Sequence, residues 1–286
     1  PDPLARAVAW NAARDLVRDA ELPPADYLDL AARHLPHESD LAIVQGVLTF
    51  ARAQVTDRYL EPGGRSEALA ALTGICRGFL AQPDAGAGLR LTAVRTLIDS
   101  ATTPDELRDW LAAGTVPGGP VLDPELRWRA LLRLSVLGAA TPAKIDAELA
   151  SDPSATGEEG AARCRAALPD PAAKQAAWEQ LYANDELSNY LFAATAQGFW
   201  RPEQRDLVRA YVPRYFEAVV PLAERRGPAI AAQAGSHGFP SVLVEEDTLR
   251  HCAAALERDD LTPALRRKLA DQQDDLRRAL EVRAAH

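Results

Sequence analysis

The side chains best suited to hold a metal or attack a substrate are the five histidines and three cysteines, and their spacing assembles no reaction centre. His34 and His37 fall in HLPHE. Zinc-binding histidines usually share one rigid helical face, but Pro36 interrupts this pair and no further His or Cys lies close in sequence. They are read as structural or surface residues. Ser236 stands beside His237 in AGSHGF, yet sequence neighbours rarely face each other as nucleophile and base, and no nucleophile elbow surrounds them. Gly235 and Gly238 predict a turn there instead. His251 beside Cys252 is read as helix packing. Gly86 and Gly88, and Gly114, Gly118 and Gly119, lack the lysine and the strand-to-helix setting of a phosphate cradle. The carboxylate pairs Glu158-Glu159, Glu245-Glu246 and Asp259-Asp260 suit solvated helix ends. No H-E-x-x-H occurs anywhere, so neither catalytic nor metal residues are assigned.

What would position any functional group is helix after helix. Leu4, Val8, Ala12, Leu16 and Ala20 share one face of a helix that Pro23 and Pro24 break. Tyr27–Leu35, Leu41–Leu60 and Ser66–Leu80 follow, the last two separated by Pro62-Gly63-Gly64. Five later starts place a capping residue before a proline: Thr103-Pro104, Asp123-Pro124, Thr141-Pro142, Asp170-Pro171 and Thr262-Pro263. In each the side-chain oxygen can accept from an N–H of the first turn, while proline sits where its missing N–H is not needed. The segment from Leu187 to Phe216 reads as a helical hairpin. Leu187, Tyr190, Leu191 and Ala194 form its first stripe, and Leu207, Val208, Tyr211, Val212 and Tyr215 its second. Gly198 is expected to end the first helix and Pro202 to open the next, with kinks near Pro213 and Pro221. Phe199 and Trp200 are expected to pack between neighbouring pairs. Val242-Leu243-Val244 is the only β-like run. Leu265–Arg283 reads as a solvated final helix.

Helices of this length joined by short loops predict an all-α, α-solenoid-like stack of antiparallel helix pairs of the HEAT or armadillo kind, curved, spanning 1–286 as one domain, with a sub-stack seam at 114–120. At 286 residues the chain is near the limit of one ordinary core, which a stack does not need. A net charge of −9 argues against a nucleic-acid partner, which calls for a basic face. Cys76, Cys164 and Cys252 are too sparse and odd in number for a disulfide framework, which fits a reducing cytoplasm. No apolar run approaches the length of a membrane span. The chain contains no methionine and opens Pro1-Asp2-Pro3, so it is expected to be part of a longer polypeptide.

Several stretches, taken in order, carry a family likeness. They are ARAVAW (Ala5 to Trp10), VRDAELP (Val17 to Pro23), YLEPGGR (Tyr59 to Arg65), LRLTAVRTLIDSATTPDEL (Leu89 to Leu107), DPELRWRALLRLSVLG (Asp123 to Gly138), DPAAKQAAWEQL (Asp170 to Leu181) and the run through Tyr215-Phe216. Together they resemble the C-terminal helical domain of M1-family zinc aminopeptidases of the bacterial aminopeptidase N type. The resemblance implies a cytoplasmic parent enzyme that removes amino acids one at a time from peptide N-termini. Its zinc would be held by H-E-x-x-H and a later glutamate, and a G-x-M-E-N motif would bind the free amine. None of these motifs occurs here, so the resemblance implies a non-catalytic bowl that closes over the catalytic domain of the same parent chain and limits peptide access. Arg201, Arg205, Arg209 and Arg214, near the best-matching stretch, are the candidates it offers for contact with a peptide carboxylate. The rival reading is a free-standing helical-repeat scaffold that binds a protein partner.

Overall fold

A computed structural model describes residues 2–286. Those residues form fifteen α-helices: α1 (Pro3–Arg18), α2 (Pro24–His34), α3 (Leu41–Phe50), α4 (Arg65–Ala81), α5 (Ala87–Ser100), α6 (Asp105–Ala113), α7 (Pro124–Val136), α8 (Pro142–Ser151), α9 (Ala155–Ala166), α10 (Pro171–Tyr182), α11 (Asn189–Phe199), α12 (Arg205–Val208), α13 (Tyr211–Ser236), α14 (Glu246–Leu256) and α15 (Pro263–Ala285). Among the described residues there is no strand, only an isolated bridge between Thr115 and Val121. The fold is the expected all-α, solenoid-like succession, with α4 packed on α5, α8 on α9, and α10 on α11. Two compact units are present. The first comprises Pro1–Ala130 with Arg278–His286, the second Leu131–Arg277. The divisions fall inside α7 and α15. The glycine-rich loop 114–120 belongs to the first unit, where Arg90 donates to the carbonyls of Leu80, Gln82, Pro83, Ala85 and Gly118.

Four of the five cap-then-proline starts form as their chemistry dictates. Asp123 accepts from Leu126 N at 2.9 Å, Thr141 from Lys144 N at 3.3 Å, Asp170 from Ala173 N at 2.8 Å, and Thr262 from Leu265 N at 3.4 Å. Thr103 does not cap: α6 begins one residue later, behind Pro104, with no side-chain cap bond. The expected single helix Leu41–Leu60 instead changes pitch after Phe50. Residues Ala51–Tyr59 form a π-helix, in which Thr56 Oγ1 donates to Ala51 O and Leu60 N to Val55 O.

The hairpin is built differently from its expected form. Gly198 does not end α11, which runs one residue further; it lies buried where α11 crosses α9. A Cβ there would stand 3.0 Å from both the Ala166 Cβ and the Arg163 carbonyl carbon, with the carbonyl oxygen closer still. Lack of a side chain, not a left-handed conformation, is what the position requires. Pro202 opens a single 3-10 turn before the short α12. Pro213 sits in the first turn of α13, where its N–H is not needed, and Pro221 lies inside the helix. The real break is at Gly227, with φ 78° and ψ −175°, followed by Pro228. Tyr190 leaves its expected stripe for solvent, whereas Leu187 and Ala194 are buried.

Two helices depart from their expected environments. On α1, Leu4, Val8 and Leu16 face solvent, and Val17 is the one buried residue of that helix. On α15, read as solvated, Leu265, Leu269, Leu276, Ala279 and Val282 are fully buried at helical spacing. Val242-Leu243-Val244 leads into α14 as irregular chain. Cys76, Cys164 and Cys252 are buried and unpaired, and burial pushes each thiol up to about 12, which keeps it from acting as a nucleophile.

Candidate functional site

Helix C-termini leave carbonyls without intrahelical partners, and three such ends meet in the second unit. The C-terminal carbonyls of α9 and α11 receive Lys174 of α10. Its Nζ donates to Ala166 O at 2.6 Å and to Phe199 O at 2.9 Å, and lies 5.3 Å from the centre of the Phe199 ring. Lys174 is fully buried. Burial, then the neighbouring positive charge of Arg201, lowers its ammonium to about 7. Beside it Gln204 Nε2 donates to Ala167 O at 2.8 Å and to Val136 O at 3.1 Å, the latter at the end of α7. Arg133 and Glu203 pair in the same unit. An aromatic cluster of Trp178, Tyr182, Phe192, Phe199, Trp200, Tyr211 and Tyr215 fills the space around these groups. Phe199 and Trp200 are therefore core residues, and Trp200 Nε1 donates to Gly238 O at 2.7 Å.

The four arginines singled out from the sequence occupy distinct settings. Arg201 precedes the 3-10 turn and donates to Gln197 O at 3.3 Å. Arg205 opens α12, half-buried. Arg209 is exposed and pairs with Glu245 and, at 3.7 Å, with Asp206; the Glu245 carboxylate is the main reason its guanidinium is held above its ordinary value. Arg214 lies over the rings of Tyr211 and Trp178, at 4.6 and 4.9 Å, and donates to Gln175 Oε1. Such stacking fixes a guanidinium in orientation while leaving it charged.

Concavities among the described residues could receive a ligand. In the second unit an open groove of ≈ 780 Å³ runs between α8, α9, α10 and α11. Leu149, Ala166, Ala177, Leu187 and Leu191 supply its apolar lining, and Glu158, Arg165 and Glu179 its charges. In the first unit a smaller pocket of ≈ 290 Å³ is polar, with Thr49, Thr92, Arg52, Arg95, Asp99 and Arg129 among its walls. Its charges are interlocked. Arg129 donates to both oxygens of Asp99 at 2.9 Å and to Glu125 at 2.7 Å, and Arg95 meets the other Glu125 oxygen at 2.9 Å. Arg52 and Arg65 share Asp57, and Arg52 also reaches Asp99 O. The sequence shows part of this lattice, since Glu125 and Arg129 are four apart on one helix. It gives no sign of Lys174, whose burial depends on helices that meet only in the fold.

The residues whose types suit bond making are dispersed. His34 and His37 are exposed on either side of Pro36. Ser236 Oγ donates to Ala232 O within its own helix, and burial lowers the His237 imidazole below its ordinary value, helped by Arg163. Among the described residues no three His, Cys, Asp or Glu side chains gather as a metal site. The arrangement offers shape, apolar surface and fixed charge.

Comparison with known proteins gives two findings. A family described as "ERAP1-like C-terminal domain" matches residues 1–278. "Aminopeptidase N" of Streptomyces lividans is 36% identical over 285 residues, covering 99% of this chain and 33% of that protein. The chain thus spans about a third of the length of the curated relative it matches.

Proposed function

Because the chain belongs to the ERAP1-like C-terminal domain family, we propose that it is the helical C-terminal module of a zinc aminopeptidase acting in the cytoplasm. The match over 1–278, joined to 36% identity along nearly the whole chain with an aminopeptidase N three times as long, carries the reading. On this reading, removal of N-terminal amino acids belongs to the part of the parent outside these residues. The helical module contributes no bond-making group; it closes over the active site and restricts access to short or unfolded peptides. Zinc is assigned to the parent alone. Among the described residues no three His, Cys, Asp or Glu side chains gather to hold it.

What this chain does for the reaction is then binding and exclusion. The aliphatic groove between α8 and α11 has the character of a surface that takes apolar peptide side chains, with Glu158, Glu179 and the Asp146-paired Arg165 as the charges on its walls. Arg201, Arg205, Arg209 and Arg214 are proposed as contacts for the distal carboxylate of a peptide, and Arg214, already oriented by two rings, is the best prepared of them.

The test compares the full parent polypeptide with the isolated 286 residues, using an aminoacyl anilide and a series of peptides of increasing length. The parent should hydrolyse the anilide and lose that activity with a chelator, and the isolated chain should not turn over. In the parent, Arg214→Ala should raise KM for peptides with little change in kcat for the anilide. Turnover by the isolated chain, or an inert parent, would sink the reading.

A further inference from the structure

Surface helices normally send aliphatic side chains inward and charges outward. Helix α1 does the reverse. Two of its three arginines are committed to the protein, and only Arg18, at its last position, is exposed. Arg6 forms a two-pronged pair with the buried carboxylate of Glu38, at 2.8 and 2.9 Å, and the Arg14 guanidinium lies 5.9 Å from the centre of the Phe50 ring. Trp10 meets Tyr27 edge-on from the same side. On the opposite side Leu4, Val8 and Leu16 are 75, 59 and 42% exposed, with exposed Ala5, Ala9 and Ala12 between them. Successive members of the Leu4, Val8, Ala12, Leu16 series are four residues apart, so they make one stripe along the helix. Three of the six large apolar side chains left exposed among the described residues are on this one helix. A cleft of ≈ 440 Å³ beside it, lined by Leu4, Ala7, Trp10, Ile43 and Val47, extends the apolar surface.

An aliphatic stripe of this length turned to solvent marks a surface that something covers. We propose that the Leu4–Val8–Ala12–Leu16 stripe of α1 is the surface on which the parent polypeptide N-terminal to these residues docks. This rests on the reading of the chain as a C-terminal module. The occupant follows from three observations. The relative has about twice as many residues beyond the matched portion as within it, and the family description places the match C-terminally. On that reading, polypeptide preceding a C-terminal match enters at the N-terminal end of α1. The stripe is also the wrong size for a free partner: 16 residues span roughly 24 Å of helix, so one face offers only a few hundred Å², far below the roughly 1,200 Å² of a stable association in solution. A tethered partner needs less, because its effective concentration reaches about millimolar. A lipid surface fits poorly, since interfacial helices hold their basic side chains out toward headgroups, and here Arg6 and Arg14 turn inward.

The test uses the full parent polypeptide with a photoreactive benzoylphenylalanine at position 8, and separately Val8→Cys read by maleimide labelling of its own peptide in mass spectra. Position 8 is exposed in this chain, so neither change disturbs its packing. The expected results are a cross-link to residues N-terminal to Pro1 within the same polypeptide, and labelling at least tenfold slower in the native protein than in urea. Labelling within twofold of the denatured rate, a cross-link to a second copy, or one formed only with phosphatidylglycerol vesicles would overturn the proposal. Anilide hydrolysis is measured on the same preparation. Activity without the cross-link refutes the docking surface alone; the cross-link without activity refutes the enzymatic reading alone.

Discussion

Replacing Gly198 by alanine asks α11 to carry one extra methyl group at its crossing with α9. The new Cβ would sit 3.0 Å from Ala166 Cβ and 3.0 Å from the Arg163 carbonyl carbon, with the Arg163 oxygen nearer still. Carbon atoms pack best at about 3.5–4.0 Å, so the two helices must separate by at least half an ångström. The obstructing atoms are backbone and a methyl group, and neither can swing away. Separation would also loosen the Lys174 bonds to Ala166 O and Phe199 O, which tie the same two helices. Overpacking of this kind costs about 3 kcal/mol, and the better helix propensity of alanine returns about 1 kcal/mol, so a net loss of about 2 kcal/mol is expected. Gly74 provides the control. It lies exposed in the middle of α4 with nothing within 4 Å of where an added methyl group would sit, so Gly74→Ala should stabilise by up to about 1 kcal/mol. Urea unfolding followed by circular dichroism reads both. A Gly198→Ala protein as stable as Gly74→Ala would refute the close-approach argument and return Gly198 to the role of a helix terminator.

Lys174 gives a pH dependence of defined sign. With its folded value lowered to about 7 from 10.5, the unfolded chain binds the proton more tightly, so the cost of burying the charge is full below pH 7 and is relieved as pH rises towards 10.5. The stability of the wild type relative to Lys174→Met should therefore increase from pH 7 to 10, and a flat or falling difference in urea midpoints would contradict the burial of the amine. Asp170→Ala should cost about 1 kcal/mol through loss of the bond to Ala173 N, whereas Thr103→Ala should change thermal stability by less than about 0.5 kcal/mol, because Thr103 caps nothing. Gly227→Ala has room for its methyl group yet should lose about 1–3 kcal/mol in the same melts, since its φ of 78° with ψ of −175° is essentially closed to other residues; an unchanged melting temperature would argue against that conformation.

Local chemistry was legible in the sequence at four of the five cap-then-proline starts, Thr103 being the exception. Asp123, Thr141, Asp170 and Thr262 cap their helices because a short oxygen-bearing side chain and a following proline need only the next turn. The all-helical class follows from the same spacing rules, and the order of short motifs from Ala5 to Phe216 carries the family. The arginines from 201 to 214 were legible as positive charge near a conspicuous stretch, but not as an ion pair at Arg209 and a ring-stacked cation at Arg214, since Glu245 and Trp178 lie some 36 residues away along the chain in each case.

Tertiary structure decided what each helix face meets. Gly198 looks like a stop signal in one dimension and is a crossing point in three, because only the approach of α9 reveals that a side chain has no room there. The sequence marks a stripe on α1 and reads α15 as solvated, yet the aliphatic residues of α15 are buried and the α1 stripe is turned out to solvent. The repeat of a sequence fixes which residues share a face. It holds no record of which neighbour covers that face, because burial is a property of pairs of elements brought together by folding.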